Sequence, residues 1–424
     1  MAADPTRWHP TAVPPAQQGP WMQAAAVGFG YTRPSSQLAA GDIERLGRRA
    51  WAVRDGDRIV GTSADLTWAL TLPGGAAVPV GAITTVTTRA SHRRRGVLTA
   101  MMGAQLGALR DEGAAAAVLT ASEGGIYGRF GFGVACSTNR IEAPTYASGL
   151  AHPVGDITLD VASELRDDMV SFRRQVAAAR PGTLERPEAW WDLLVLGPQE
   201  TFEGGGDLFA SVHRNEGGSV DGYALWRLGG QWGTRVVNVR ELHTLDPAVE
   251  LALFRHCAEL DLSETVSWNT APPDTPIPAA TADPRRCRVT ERRDQLWLCP
   301  IDPAGLLAAR SYAAPLDVTL SIEGVTTGWS APPLTVRVSA QPGDAATVVV
   351  LDERPGGVAA PSPGRPPPAE LTCDRAALGM ALLGTTSWRT LAAAGRARAV
   401  DPSVLAAADA AFASHPAANS QDYF

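Results

Sequence analysis

Apolar and polar positions trade places along this chain with two different periods. In WAVRDGDRIVG (51–61) two apolar runs flank Asp55-Gly56, the pattern of a β-hairpin. Extended runs follow over 66–72 and 78–88, separated by the turn signal Pro73-Gly74-Gly75. From Leu98 the period lengthens: Leu98, Met101, Met102, Leu106 and Leu109 recur at helical spacing, predicting a helix that ends near Arg110. A buried strand is expected over 117–121. Ahead of the hairpin, a helix is read around 22–29 and an amphipathic stretch near 43–49. The order helix, strands, helix, strand describes a mixed α/β layer.

Further along, LERPEAWWDLLVL (184–196) reads as a helix, DGYALWRL (221–228) and TRVVNVRELHTL (234–245) as strands, and 247–260 as a helix. The pattern changes again near Ile301. A short helix LLAARSYA precedes alternating runs LDVTLSIEG, LTVRVSA and ATVVVL. Residues 353–370 hold six prolines and three glycines and read as a flexible surface loop. AELTCDRAALGMALLG, TSWRTLAAAG and DPSVLAAADAAF then predict three helices, the last begun by Asp401 as N-cap with Pro402 behind it. Strands followed by clustered helices describe an α+β domain.

Composition narrows the classes. A chain of 424 residues, 45% hydrophobic and 19% charged, is globular and long enough for two or three cores. A net charge of −7 argues against nucleic acid or an anionic membrane as partner and suits a cationic substrate. Residues 1–20 carry five prolines and no apolar stretch, so a flexible lead-in is expected rather than a signal peptide. No run approaches the roughly 20 apolar residues needed to span a bilayer. Cys136, Cys257, Cys287, Cys299 and Cys373 lack pair spacing and no histidines repeat at ligand spacing, which points to reduced thiols, a cytoplasmic setting and no metal. Cys136, just past a glycine string, is the one cysteine placed for a catalytic role.

The chemistry concentrates in two strings. SHRRRGVL (91–98) joins the strand ending at Thr88 to the first turn of the helix, with Arg93, Arg94 and Arg95 before Gly96, Val97 and Leu98. The first turn of a helix has unpaired N–H groups and a partial positive charge, which suit a pyrophosphate, and guanidinium forks add to both. His92 reads as a solvated loop residue. The loop is neither a Walker A loop nor a GxGxxG turn. AVLTASEGGIYGRFGFG (117–133) follows, where Gly124, Gly125, Gly128, Gly131 and Gly133 interleave with aromatic residues and allow close approach of backbone to a ligand.

The strand–RRRG–helix unit resembles the acetyl-CoA loop of the GCN5-related N-acetyltransferases (GNAT). Together the two strings resemble the Eis (enhanced intracellular survival) family of acetyltransferases. The general family carries Gly or Ala two places after the motif glycine; the bulky Leu98 matches the Eis pattern instead. The resemblance implies two tandem acetyltransferase-like domains, 21–154 binding acetyl-CoA and 155–300 degenerate, followed by a sterol-carrier-like α+β domain over 301–424. It places the pantetheine on Val86 and Thr88, the pyrophosphate on Arg94, Arg95 and Gly96, and the acetyl end at Gly124 and Gly125. It makes Tyr127 the general acid and the α-carboxylate of Phe424 the general base. Tyrosine is protonated and a terminal carboxylate ionised at neutral pH, as those roles require. A lone chain end usually frays; the aromatic pair Tyr423-Phe424 is an odd end for a loose tail.

Around the acceptor, the resemblance nominates Thr85, Trp191, Asp294, Asp422 and Tyr423. Some relatives carry an aromatic where Thr85 stands and an acidic residue where Tyr423 stands, so a wider and differently charged pocket is expected. The implied activity is multi-site N-acetylation of polycationic amines, above all aminoglycosides, hence antibiotic resistance, in a ternary complex and in a homohexamer. Two alternatives stay open: another acceptor (a protein lysine, a polyamine or another cationic antibiotic), or a non-catalytic carrier of CoA or lipid.

Overall fold

The computed structural model describes residues 5–30, 45–145, 156–197, 207–231, 233–353 and 368–424. They form two compact units. The first holds residues 1–135, 296–415 and 423–424; the second holds 136–295 and 416–422. The chain thus leaves the first unit earlier than the expected border at 154.

In the first unit, strands Thr11–Ala12, Arg48–Asp55, Arg58–Thr71, Ala77–Thr88 and Ala116–Leu119 lie side by side in chain order, followed by residues 297–300. All neighbours are antiparallel except Ala77–Thr88 with Ala116–Leu119, whose parallel pairing requires a crossover, the helix Val97–Asp111. Alternation puts Ala50 and Ala52 against Trp21 of the helix Gln18–Gly28, while Val53 faces Met101 of the crossover helix. The hairpin turn falls on Gly56-Asp57, Gly56 taking φ +58°, one residue later than the sequence suggests.

A buried carboxylate fastens this layer. Asp65 accepts from Trp51 Nε1 at 2.6 Å, Gln105 Nε2 at 2.9 Å and Arg49 Nε at 3.0 Å. Replacing it with alanine strands the indole and amide donors, while half-buried Arg49 can turn to water. Each stranded donor costs about 1–3 kcal/mol. Asp65→Ala is therefore expected to lower unfolding free energy by about 2–4 kcal/mol, measured from the urea midpoint; a loss under about 0.5 kcal/mol would make the network incidental.

The same unit carries a second, five-stranded sheet in the order Thr347–Glu353, Leu334–Ala340, Leu316–Ile322, Leu371–Cys373, Ala397–Ala399. Helices Arg375–Leu382, Trp388–Ala393 and Pro402–Phe412 pack with it, the last capped by Asp401 as expected. The two three-residue strands are too short to show a period and were not anticipated. Trp388, Phe412 and Tyr312 fill the interior. Arg310 is buried among them, its charge met by the carbonyls of Leu382 and Phe412 and by the Phe412 ring at 4.1 Å.

One further expectation changes. Residues 5–20 are not a loose lead-in: Trp8 and Val13 are buried, Thr11–Ala12 pairs with Trp51–Ala52, and the helix starts at Gln18. Of the amphipathic stretch over 43–49, Arg48 and Arg49 open a strand and residues 43–44 lie outside the described residues. Most of the proline-rich loop, 354–367, lies outside them too.

The second unit repeats the first in outline. Strands Asp156–Val161, Phe209–Arg214, Val220–Gly229, Val236–Thr244 and Thr265–Ala271 lie in chain order, and the last two are parallel across the helix Pro247–Ala258. Here the helix start is closed by its own carboxylate, Asp246 accepting from Ala248 N–H at 2.8 Å, and Pro247 has no N–H to offer. A phosphate has no place there. The predicted helix over 184–196 is reduced to Glu188–Trp190 and a π-turn at Trp191–Val195. Among the described residues no helix is long and apolar enough to cross a membrane.

Candidate active site

The site begins where two parallel strands part. Val80–Ala82 pairs with Ala116–Val118, and past that point the register ends. On its other edge the strand Ala77–Thr88 bulges: Thr62 faces Thr87 but Ala64 faces Thr84, so Thr85 and Val86 oppose Ser63 alone. Thr85 takes φ +56°, costly for a β-branched residue, and its carbonyl accepts from Thr62 Oγ1 at 3.1 Å. The parted strand offers backbone donors and acceptors to an extended ligand.

The basic loop follows. Arg94 (φ +60°) and Gly96 (φ +87°) turn the chain into the helix, and no side chain caps its N-terminus. Those N–H groups stay available to an anion. A cavity of about 660 Å³ opens here, lined by Val86, Thr88, Arg93, Arg94, Gly96, Val97, Leu98 and Tyr127 among others. Arg95, Gly124 and Gly125 are not on its lining. Arg95 is exposed and its carbonyl accepts from Trp8 Nε1 at 2.7 Å, while Gly124 backs onto Trp297. His92 is no solvated loop residue: it is buried edge-on to Trp8, with Nε2 3.0 Å from Asp55.

Other lining residues were not among those the sequence nominated, and they include Gly28, Phe29, Arg129 and Thr327. Gly28 ends its helix against Thr87, where a Cβ would fall 2.4 Å from the hydroxyl. Thr327 belongs to the C-terminal part of the chain, whose neighbouring Trp329 donates to the Phe130 carbonyl at 2.9 Å. Of these, only Arg129 sat inside a recognised string.

Tyr127 is buried edge-on to Phe132, and no hydrogen bond ties its hydroxyl to the protein among the described residues. Burial, with the charge of Glu123 adding, pushes it up to about 12. It stays protonated across the physiological range. The cysteines are buried, Cys136 included, which removes it as an accessible nucleophile.

Phe424 packs its ring edge-on against Trp68 at 5.3 Å. Trp68 lies opposite Val80, two residues from the Ala82 at which the parallel pairing ends. The terminal residue thus sits in the first unit beside the strands that part, although it is not on the cavity lining. Tyr423 is 45% exposed.

Three acceptor candidates lie in the second unit. Asp294 is exposed. Asp422 and Trp191 are corrections: both are 1% exposed and out of reach of a solute. Trp191 is core, with the Arg186 guanidinium over its ring at 5.3 Å. Burial would raise the Asp422 carboxyl, but Arg173 and Arg186 outweigh it and hold it below the usual range.

A parted parallel strand pair, an uncapped helix behind an arginine–glycine loop and a second domain of like topology define a tandem acetyltransferase. Family models agree: the acetyltransferase (GNAT) domain matches residues 17–135 and 182–297, and the sterol carrier protein domain matches 304–419. N-acetyltransferase Eis of Mycobacterium tuberculosis is 32% identical over 378 residues, 86% of this chain and 87% of that protein. An uncharacterized N-acetyltransferase of Streptomyces coelicolor is 37% identical over 371 residues, 85% of each. The Eis1 crystal structure from Mycobacterium abscessus superposes with a TM-score of 0.81 at 26% identity, covering 98% of this chain and all of that one. The chain belongs to the Eis family of N-acetyltransferases.

Proposed function

We propose that this chain moves the acetyl group of acetyl-CoA directly onto amines of polycationic acceptors, aminoglycosides above all and at several positions, without a covalent enzyme intermediate. The observation that carries the reading is the cavity itself, which joins a parted strand, an anion-binding helix start and an untethered tyrosine hydroxyl. Val86 and Thr88 would hold the pantetheine and Arg93, Arg94 and Gly96 the pyrophosphate. The amine nitrogen attacks the thioester carbonyl and the carbon–sulfur bond breaks. The ammonium proton passes to the Phe424 carboxylate and the Tyr127 hydroxyl donates to the departing sulfur. The net charge of −7 favours a cationic acceptor. Buried cysteines that form no disulfide suit a cytoplasmic setting, and assembly as a homohexamer belongs to the same proposal.

The test is thiol release from acetyl-CoA with neomycin and kanamycin, set beside a lysine peptide and spermidine. Turnover with the aminoglycosides at several amines, by mass, is the expected result. Turnover confined to the peptide or polyamine would replace the acceptor; none with any amine, despite acetyl-CoA binding, would favour a carrier. Arg94→Ala is expected to weaken acetyl-CoA binding about 10-fold or more, since a hydrogen bond to a charged group contributes about 1.5–3 kcal/mol, read by calorimetry.

A further inference from the structure

One loop carries the five-stranded sheet of the first unit to the wall of the cavity. It connects the strands Leu316–Ile322 and Leu334–Ala340, and its Thr327 lines the cavity together with Tyr127. The loop is anchored along its length. Val325 and Ala331 exchange backbone hydrogen bonds at 2.9 and 3.0 Å. Arg375 donates to the Pro332 carbonyl at 3.2 Å, and Arg110 of the crossover helix donates to the Ser330 carbonyl at 3.3 Å. The loop lies so close to that helix that a Cβ on Gly103 would fall 2.0 Å from the Gly328 carbonyl oxygen. Between these anchors Trp329 is buried, in the same core as Tyr127, Phe130 and Phe132.

The indole meets a segment with little stiffness of its own. Gly124, Gly125, Gly128, Gly131 and Gly133 give the backbone around Tyr127 unusual freedom. Within the turn, the Tyr127 carbonyl accepts from the Phe130 N–H at 3.0 Å and the Phe132 N–H at 3.4 Å. The Phe130 carbonyl is taken by donors from outside the turn, Trp329 Nε1 at 2.9 Å and Cys299 Sγ at 3.5 Å. A thiol is a weak donor, so the indole is the main tie. No hydrogen bond fixes the Tyr127 hydroxyl among the described residues, so the phenol stands where its ring packing and this turn hold it. Any buried indole needs an acceptor. This one takes its acceptor from the turn that carries the phenol.

We infer that Trp329, acting through the Phe130 carbonyl, is a positioning residue for Tyr127. The inference rests on the reading of Tyr127 as the general acid. The indole is not on the cavity lining and touches no reacting atom. Its role makes the five-stranded sheet a working part of acetyl transfer.

The experiment uses the full chain and its Trp329→Phe, Tyr127→Phe and doubly substituted variants. Trp329→Phe keeps an aromatic ring and removes the N–H. Gly328→Ala serves if Trp329→Phe does not fold: it keeps the indole and sets a Cβ 3.0 Å from the Phe130 ring, on a backbone at φ +80°. Two quantities are read: kcat at saturating acetyl-CoA, with the best acceptor among neomycin, kanamycin, spermidine and a lysine peptide, and acetyl-CoA affinity by calorimetry. Trp329→Phe is expected to lower kcat by about tenfold or more, toward the 10²-fold cost of a reacting group displaced by about 1 Å. In a chain already carrying Tyr127→Phe, the same change should cost less than about twofold, because residues acting as a unit are not additive. Acetyl-CoA affinity should hold, since Arg94 and Gly96 are untouched. An equal loss in both backgrounds would overturn the inference, because a tryptophan that only packs the core would act whether or not the hydroxyl is present. A fall in acetyl-CoA affinity matching the fall in kcat would overturn it too, making the loop a wall of the coenzyme site and nothing more. Native kcat in Trp329→Phe, with Tyr127→Phe impaired, would overturn it and leave the acid standing. Native kcat in Tyr127→Phe, or no turnover in any chain, would remove the acid itself and the positioning role with it.

Discussion

A chain lacking Phe424 is expected to bind acetyl-CoA with native affinity and to lose about 10²–10⁴-fold in kcat, the usual contribution of a positioned general base. The new α-carboxylate, on Tyr423, would stand about 3.8 Å back along the chain. It would also lack the ring that packs edge-on against Trp68 at 5.3 Å. Coenzyme affinity should hold, because Phe424 is not on the lining of the cavity with Arg94 and Gly96. A second chain, with one alanine appended, separates ring from carboxylate: it keeps the aromatic ring and moves the charge by the same step. Loss of kcat in both chains is the expected outcome, measured as thiol release at saturating acetyl-CoA. Native turnover in the extended chain would show that only the ring matters and that a water or another carboxylate takes the proton.

Tyr127→Phe is expected to lower kcat by about 10²-fold with little change in acetyl-CoA affinity, since the change removes a proton donor and keeps the ring packed against Phe132. The pH dependence follows from a hydroxyl pushed up to about 12 by burial and then by Glu123. In the proposed role of general acid the protonated form is the active one, so its contribution would be complete below that value and lost as pH rises through it. No falling alkaline limb is expected in kcat up to about pH 10, the ordinary tyrosine value. A limb near pH 9 that vanishes in Tyr127→Phe would mean the hydroxyl titrates with its ordinary acidity and that the site is wetter than its burial indicates. The same upward shift works against folding in strong alkali. The unfolded tyrosine ionises near pH 10, so the stability held below that value declines as pH rises from there through about 12.

Legibility along the chain tracked how local each feature is. The basic loop and the glycine string work through backbone conformation within a few residues, so their residue types had to appear side by side. Gly96 takes the left-handed turn before the helix, and Tyr127 leads into the turn Gly128–Phe130. Strand alternation and helical spacing are local in the same sense. The Asp55 hairpin, the crossover helix and the Asp401 cap were visible for that reason.

The misreadings share a different cause. Trp8 looked like part of a loose lead-in because its partner, the Arg95 carbonyl, is 87 residues away. Asp422 looked like a free acidic contact because Arg173 is 249 residues away. Trp191 sits in a string that could belong to a pocket or a core, and burial alone decides between them. Thr327 reaches the cavity from a part of the chain with no chemical signature. From the sequence by itself came the family, the α/β and α+β character, the arginine–glycine loop and the aromatic end. The tertiary structure decided which nominated residues line one cavity, that the second helix start is closed by Asp246, and that Asp422 is met by two arginines. The physical reason is that period and turn chemistry are properties of neighbouring residues, whereas burial and charge pairing depend on which distant segments the fold brings together.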